Sequence, residues 1–418
     1  MKKLISKIKE DKKIIGAYLL ILLVFIAFMP NNGPGGFDII CFTSWSNYIF
    51  ANGLQNIYKF GIDYLPIFQY ILFLYGKTQG STENIISNIN SLKYVTLLFD
   101  VFSAYLVYSF VKTKYKTKES AFLATLFILL NIAYFYNNVI YGQVDGIYTC
   151  MVFISILYGL KKNISLSVFF IVLAINFKLQ AIIFLPLIGL LIFPEIWKNL
   201  SFKNIIIWLT PVFILQILIL LPFIISGDLL ILLKVVKSSM GKYPKVSMGA
   251  YNVWYLFFED PSQIFDKQGI FGRSYNRYGL LVFSISLFIT IWLLIKQTFY
   301  ILKRKKYNSI LTEKIILMAT LTPLVFFYFN TQMHSRYIHP SILFGGVYAL
   351  YTKRPLAFVL LSIAYFLNIE NGAKILKSDI TPYTYFFFQP LFVSCIYITA
   401  IIVLLYELYR KPKDVEIN

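Results

Sequence analysis

The chain holds three cysteines in 418 residues, Cys41, Cys150 and Cys395. They are too few and too scattered for a disulfide framework or a cysteine metal site. Histidine is scarcer still, with His334 and His339 the only two. With no cysteine nearby and no helical i, i+4 spacing, they make a poor zinc site. Acids are outnumbered, 19 Asp and Glu against 39 Lys and Arg, and only six of those bases are arginine. Internal repeats and low-complexity tracts are missing, and no stretch reads as an appended soluble domain. A lysine excess with abundant Ile and Asn hints at an AT-rich genome, hence a prokaryotic plasma membrane.

What is present is apolar. Hydrophobic residues make up 58% of the chain and the mean hydropathy is +0.69. That composition is an integral membrane protein's. A span needs roughly 20 apolar residues, and about 10 to 12 stretches qualify as candidates by that measure. They are 14–29, 92–111, 120–137, 146–160, 164–177, 179–194, 204–225, 278–295, 311–329, 338–351, 355–369 and 388–408. Residues 164–177 and 179–194 are short enough to form a re-entrant or strongly tilted hairpin instead. The expected fold is an all-α polytopic transmembrane bundle with interfacial helices in its outer loops, one membrane domain over 1–418. The start resembles a signal peptide, but Phe28-Met29-Pro30 offers no small-residue cleavage site, so an uncleaved first span is expected.

The net charge of +20 would suggest nucleic acid in a soluble protein. Here the bases cluster in alternate short loops, as the positive-inside rule requires. The clusters are the N-terminus, Lys112 to Lys118, Lys161-Lys162, Lys198 with Lys203, Lys303 to Lys306, Lys353-Arg354 and Arg410 to Lys413. The intervening loops hold Asp38, Asp63, Glu83, Asp145, Asp228, Glu259, Asp260, Asp266 and Asp379. Both termini are therefore expected in the cytoplasm, and the carboxylates outside a multi-pass cell-membrane protein.

Two outer segments exceed ordinary loop lengths, 30–91 and 226–277, and long ordered loops are commonly functional. In the first, Phe42, Trp45, Ile49 and Phe50 share a helical face, as in a helix lying on the membrane surface. Residues 63–76 read as a second such helix. In the second, Leu229–Val236 is amphipathic and Tyr251–Phe258 aromatic.

Asp38 follows Pro30-Asn-Asn-Gly-Pro-Gly-Gly-Phe at the outer edge of the first span. A carboxylate there suits a general base for a hydroxyl, and it equally suits an N-cap for a helix starting near Ile39. Asp63-Tyr64-Leu65-Pro66 opens the second helix, again as a turn and cap or as a pocket element. Tyr141-Gly142-Gln143-Val144-Asp145 lies between two spans, where its glycine permits a tight turn. Lys178 and Gln180 mark the turn of the short hairpin, where a lysine either snorkels or binds an anion. His334-Ser-Arg336-Tyr337 gathers groups that bond phosphate. Asp100 lies inside the second span, roughly 12 Å from its outer end at 1.5 Å per residue, and is expected to face the interior.

Taken in order, these pieces resemble the GT-C class of membrane glycosyltransferases. The resemblance is nearest to prokaryotic relatives of the GPI-anchor second mannosyltransferase. It rests on Phe37-Asp38, Trp45, Asn52-Gly53-Leu54 to Tyr58, and Asp63-Tyr64-Leu65-Pro66. It continues with Tyr141-Gly142-Gln143-Val144-Asp145, Asn176 to Gln180, Tyr251-Asn252-Val253-Trp254 and His334-Ser335-Arg336-Tyr337. Leu65 departs from the family's Asp-Tyr-Pro-Pro. The resemblance implies transfer of a hexose, mannose in the family, from a polyprenyl-phosphate sugar to a glycan, lipid or protein acceptor, with inversion. It implies an extracytoplasmic site that needs no cofactor and, as in most of the class though not all, no metal, with Asp38 as general base. Lys178, His334 and Arg336 would converge on the donor phosphate. Asp63, Tyr64, Gln143, Asp145, Gln180, Asn252, Trp254 and Tyr337 would line the pocket. A secondary transporter is an alternative, expected to show repeats and midplane charges. A polysaccharide polymerase or ligase is another, expected to carry arginine-rich outer loops.

Overall fold

The computed structural model describes residues 11–33, 35–62, 64–239, 241–306, 309–375 and 385–410. Asp63 and Asp379 lie outside the described residues. The fold is helical. Strands amount to two-residue pairings, Ser247–Met248 parallel with Met333–His334 and Gly269–Ile270 antiparallel with Arg273–Ser274. Among the described residues, seven helices are long and apolar enough to cross a membrane. An eighth span results if Lys118–Leu129 and Ile132–Ile140, bent by 55° at their junction, count as one.

The expected spans fall on helices, 120–137 on two pieces broken at Leu130–Asn131, and several are short. Ile164–Phe177 and His339–Thr352 have 14 residues each. Such helices extend about 21 Å at 1.5 Å per residue, against a hydrocarbon core of about 30 Å. The helix Phe202–Ile225 gives the clearest membrane signature. Its mean hydropathy is 2.5, yet only 6% of its window is buried inside the protein. A surface that apolar needs lipid to cover it. The protein is thus a multi-pass helical membrane protein.

The contacts group the chain into two compact units, 1–244 with 369–379, and 245–368 with 380–418. In the first unit, helices Lys12–Phe28, Lys93–Val111 and Lys118–Leu129 share a core of Ile14, Tyr18, Leu97, Val101, Ala104, Tyr108, Ala121 and Leu129. Tyr18 satisfies its buried hydroxyl on Thr125 and on the Ala104 carbonyl. Below this core Asp11 bonds Lys112 at 2.5 Å, Lys118 at 3.1 Å and the Tyr108 hydroxyl at 3.1 Å. The second unit is built on Thr312–Phe329, which packs against His339–Thr352 and Pro390–Tyr409. Glu407 ties its far end, bonding Arg354 at 2.9 Å and Arg410 at 2.8 Å.

The first long loop holds two helices, Phe37–Asn52 and Pro66–Gln79, with a 3-10 segment Leu54–Phe60 between them. Gly53 and Gly61 lie at positive φ on either side of that segment, turning the chain where a side chain would be strained. The aromatic face read from the sequence does not lie on lipid. Phe42, Trp45 and Ile49 are buried inside the protein. Phe42 and Trp45 pack on Tyr64 at 5.7 and 5.3 Å between ring centroids, and Phe42 on Phe68 at 4.7 Å. Phe68 in turn meets Phe177 at 5.9 Å. Edge-on ring packing with its own neighbours replaces contact with lipid. The exposed side carries Phe37 and Ile40 instead.

Candidate functional site

The first unit's polar residues converge where Gly36 meets the turn 141–144. Ahead of that turn, residues 136–140 wind as a π-helix, with the Tyr141 amide reaching the Tyr136 carbonyl at 2.7 Å. The wider turn aims two consecutive side chains inward, and both Asn137 and Asn138 are buried. Single π turns recur at functional sites. Gly142 sits at φ +79°, and a Cβ there would come within 2.6 Å of Ile39 and 3.0 Å of the Lys93 stem. The close approach lets the Gly36 amide bond the Tyr141 carbonyl at 2.8 Å.

Asp38 lies in the first turn of Phe37–Asn52, whose N-cap is Gly36. The capping alternative therefore does not describe it, although the positive helix end still favours its charge. Its carboxylate is half-buried. Gln143, fully buried, donates to Asp38 Oδ2 from Nε2 at 2.5 Å. Two residues on, Asp145 opens the helix Asp145–Leu160 and is fully buried. Its partner is Lys178, which ends Ile164–Phe177 in an extended conformation and is itself buried. The Lys178 ammonium also lies over the rings of Tyr64, at 5.7 Å, and Tyr148, at 5.8 Å.

The network continues inward. Asn137 Nδ2 reaches Asp145 Oδ2 at 3.5 Å and Asn138 Oδ1 at 2.9 Å. Asn138 donates to both oxygens of Asp100, at 2.9 and 3.0 Å, and the Tyr134 hydroxyl donates to Asp100 at 3.0 Å. Asp100 thus faces inward, 3% exposed. The sequence reading missed Asn137, Asn138 and Tyr134. Two adjacent asparagines within an otherwise apolar span were the available signal, because buried amides need partners. It also missed Glu370, buried, which accepts from Tyr136.

The other expected residues divide. Gln180 is half-buried in the 3-10 turn Leu179–Phe184. In the second unit, Asn252 is fully buried. It donates to the carbonyls of Phe327 and Asn330 at 3.2 Å each and caps Trp254. Trp254 donates its indole N–H to the Asn330 carbonyl at 3.2 Å. These bonds make Asn252 and Trp254 clamps between segments. His334, Arg336 and Tyr337 are half-buried neighbours. The Tyr337 ring lies 5.2 Å from His334 and 5.8 Å from the Arg336 guanidinium. Lys178 belongs to the first unit, and His334 and Arg336 to the second. Among the described residues, no three His, Cys, Asp or Glu side chains gather as a metal ion requires.

Comparison of the sequence with protein families finds no matching family model, and comparison with curated proteins finds no match.

Proposed function

We propose that the protein is a membrane glycosyltransferase that uses a polyprenyl-phosphate sugar, with Asp38 as general base. One observation carries the choice of base. Of the three acids gathered at this site, Asp38 is partly exposed, while Asp145 and Asp100 are buried. A base must reach the proton it takes. The Gln143 amide orients the Asp38 carboxylate without neutralising it.

The acceptor oxygen attacks the anomeric carbon of the donor sugar, and its proton passes to Asp38. The bond from that carbon to the phosphate oxygen breaks, and its electron pair leaves with the polyprenyl phosphate. One displacement inverts the anomeric centre. Cations stabilise the leaving phosphate, and in the first unit the resemblance gives that role to Lys178. Lys178 serves only when its pair with Asp145 opens. The test is incubation of purified protein with a panel of polyprenyl-phosphate sugars and an acceptor, scored by released polyprenyl phosphate. No release with any donor removes the reading.

A secondary transporter is the second reading, and the buried chain Lys178–Asp145–Asn137–Asn138–Asp100 favours it. Ionisable groups at membrane depth mark ion and proton paths. Proton-coupled uptake into vesicles that is lost in Asp100→Asn supports it; uptake unchanged in that variant opposes it.

A further inference from the structure

We infer that the β-hairpin 269–274 of the second unit dips its apolar tip into an anionic headgroup layer of the membrane, with Lys267, Arg273 and Arg277 set against the negative surface. The strands Gly269–Ile270 and Arg273–Ser274 pair directly, so Phe271 and Gly272 make the turn. Both sit at positive φ, +49° and +72°. Two-residue hairpin turns of this kind favour Asn-Gly, because a bulky side chain is strained there. Here a phenylalanine fills the strained position and is 93% exposed, beside an exposed Ile270. Phe271 thus costs the fold twice, in backbone strain and in apolar exposure. The base of the hairpin is fixed. Asp266, 1% exposed, accepts from Gln332 Nε2 at 2.5 Å, and from Asn276 Nδ2 and the Thr331 hydroxyl at 3.2 Å each. A Cβ on Gly269 would run into the Arg273 carbonyl, so glycine lets the strands close.

Position and charge select the occupant. Tyr278, near the start of the helix Tyr275–Leu302, donates its hydroxyl to the Ile270 carbonyl at 3.2 Å. The hairpin is therefore held to that helix within the reach of one tyrosine side chain. Tyr278, Leu281, Ile285, Phe288 and Trp292 share one helical face by their spacing. The last four are exposed, and the helix is among those apolar enough to cross a membrane. That face meets lipid, and the hairpin sits at its N-terminal end, where the headgroups begin. Between Phe265 and Tyr278 the only acid is Asp266, buried and bonded, whereas Lys267, Arg273 and Arg277 are all exposed. An apolar tip among cations complements an acidic bilayer surface. The ring and the aliphatic chain enter, and the charged heads stay at the level of the phosphates. Each such cation strengthens attachment to an anionic surface roughly fivefold. A purely apolar partner would leave all three without a counter-charge. This attachment is independent of the glycosyl-transfer reading.

The test reads membrane depth by spin labelling of the full-length protein in nanodiscs, either of phosphatidylcholine alone or of phosphatidylcholine mixed with phosphatidylglycerol. A nitroxide is attached at Ile270→Cys, with the exposed Gln263→Cys as comparison. The background carries Cys41→Ser and Cys395→Ser, and Cys150 is buried. In the acidic discs the label at 270 should collide with oxygen more than with a water-soluble nickel complex. It should lie about 5–10 Å deeper than the label at 263. Phe271→Asn suits the turn but removes the ring. Lys267→Gln, Arg273→Gln and Arg277→Gln together remove the charge. Each of the two changes should move the label outward by about 5 Å or more in acidic discs, in protein that still elutes as the wild type does. A label at 270 as open to nickel as that at 263 in both discs overturns the inference and leaves the tip to a protein partner. Equal depth in the two kinds of disc overturns it too, as does a depth that neither change alters. If Ile270→Cys does not fold, a label at Phe271→Cys carries the same lipid comparison and the same charge removal.

Discussion

Gln143 donates a hydrogen bond to Asp38 at 2.5 Å across a sequence separation of 105 residues. The bond joins the first turn of Phe37–Asn52 to the turn before Asp145. It places a partly exposed carboxylate beside a buried polar network, where an amide that never titrates helps orient it.

The Asp38→Asn variant should fold, because the residue sits in a first helical turn and is not the cap. Sugar transfer should fall by about 10²–10⁴, the usual contribution of a positioned base. Gln143→Ala should lower transfer less, since it loosens the carboxylate without removing it. Initial rates of polyprenyl-phosphate release measure both; full activity in Asp38→Asn removes Asp38 as the base.

Breaking the Asp145–Lys178 pair from one side strands a buried charge. Asp145→Asn or Lys178→Met alone should destabilise the protein by about 3–5 kcal/mol. The double variant should be less damaged than the sum, because neither charge is left alone. Thermal unfolding in detergent, followed by size-exclusion recovery, gives the cycle. Additive losses would mean that the two side chains act independently.

Gly146→Ala should be strongly destabilising. A Cβ there would lie 2.3 Å from Asp100 Oδ1 and 2.7 Å from Asn138 Nδ2, within the hydrogen-bonded network. Gly189 is the comparison, exposed on the helix Leu185–Lys198, where a Cβ would meet nothing within 4 Å. Gly189→Ala should be neutral or stabilising by up to about 1 kcal/mol from helix propensity. Equal melting temperatures for the two variants would contradict the crowding at Gly146.

Acid should loosen the anchor at Asp11. Burial pushes this carboxyl up, but the ammonium groups of Lys112 and Lys118 and the Tyr108 hydroxyl outweigh it and hold it below its ordinary value. A carboxylate lowered in the folded state stabilises above its unfolded value of about 3.9. That contribution is lost as pH falls from about 3.9 through the lower folded value. The melting temperature of the wild type should therefore drop more steeply below about pH 4 than that of Asp11→Asn. Parallel curves would show that Asp11 is not the titrating group.

Much of the architecture was legible in the sequence, because apolar stretches need lipid or protein cover whatever their partners. The expected spans fall on helices, 120–137 on two pieces bent by 55°, and Gly142, read as permitting a tight turn, lies at positive φ. Short helices such as Ile164–Phe177 blurred the span count, since length alone does not fix how an element crosses. Asp38, Gln143, Asp145 and Lys178 were legible as polar residues at the ends of apolar runs.

Their partners were not. Sequence placed Asp145 and Lys178 as separate candidates, and the fold buries them as one pair. Sequence assigned the Phe42–Trp45 face to lipid, and the fold turns it onto Tyr64 and Phe68. Lys93 drew no attention in the sequence, and the fold buries it with its stem against Gly142. Composition and periodicity determine which residues leave water. Which of them then meet depends on contacts between distant segments, and those follow from close packing, which no local pattern encodes.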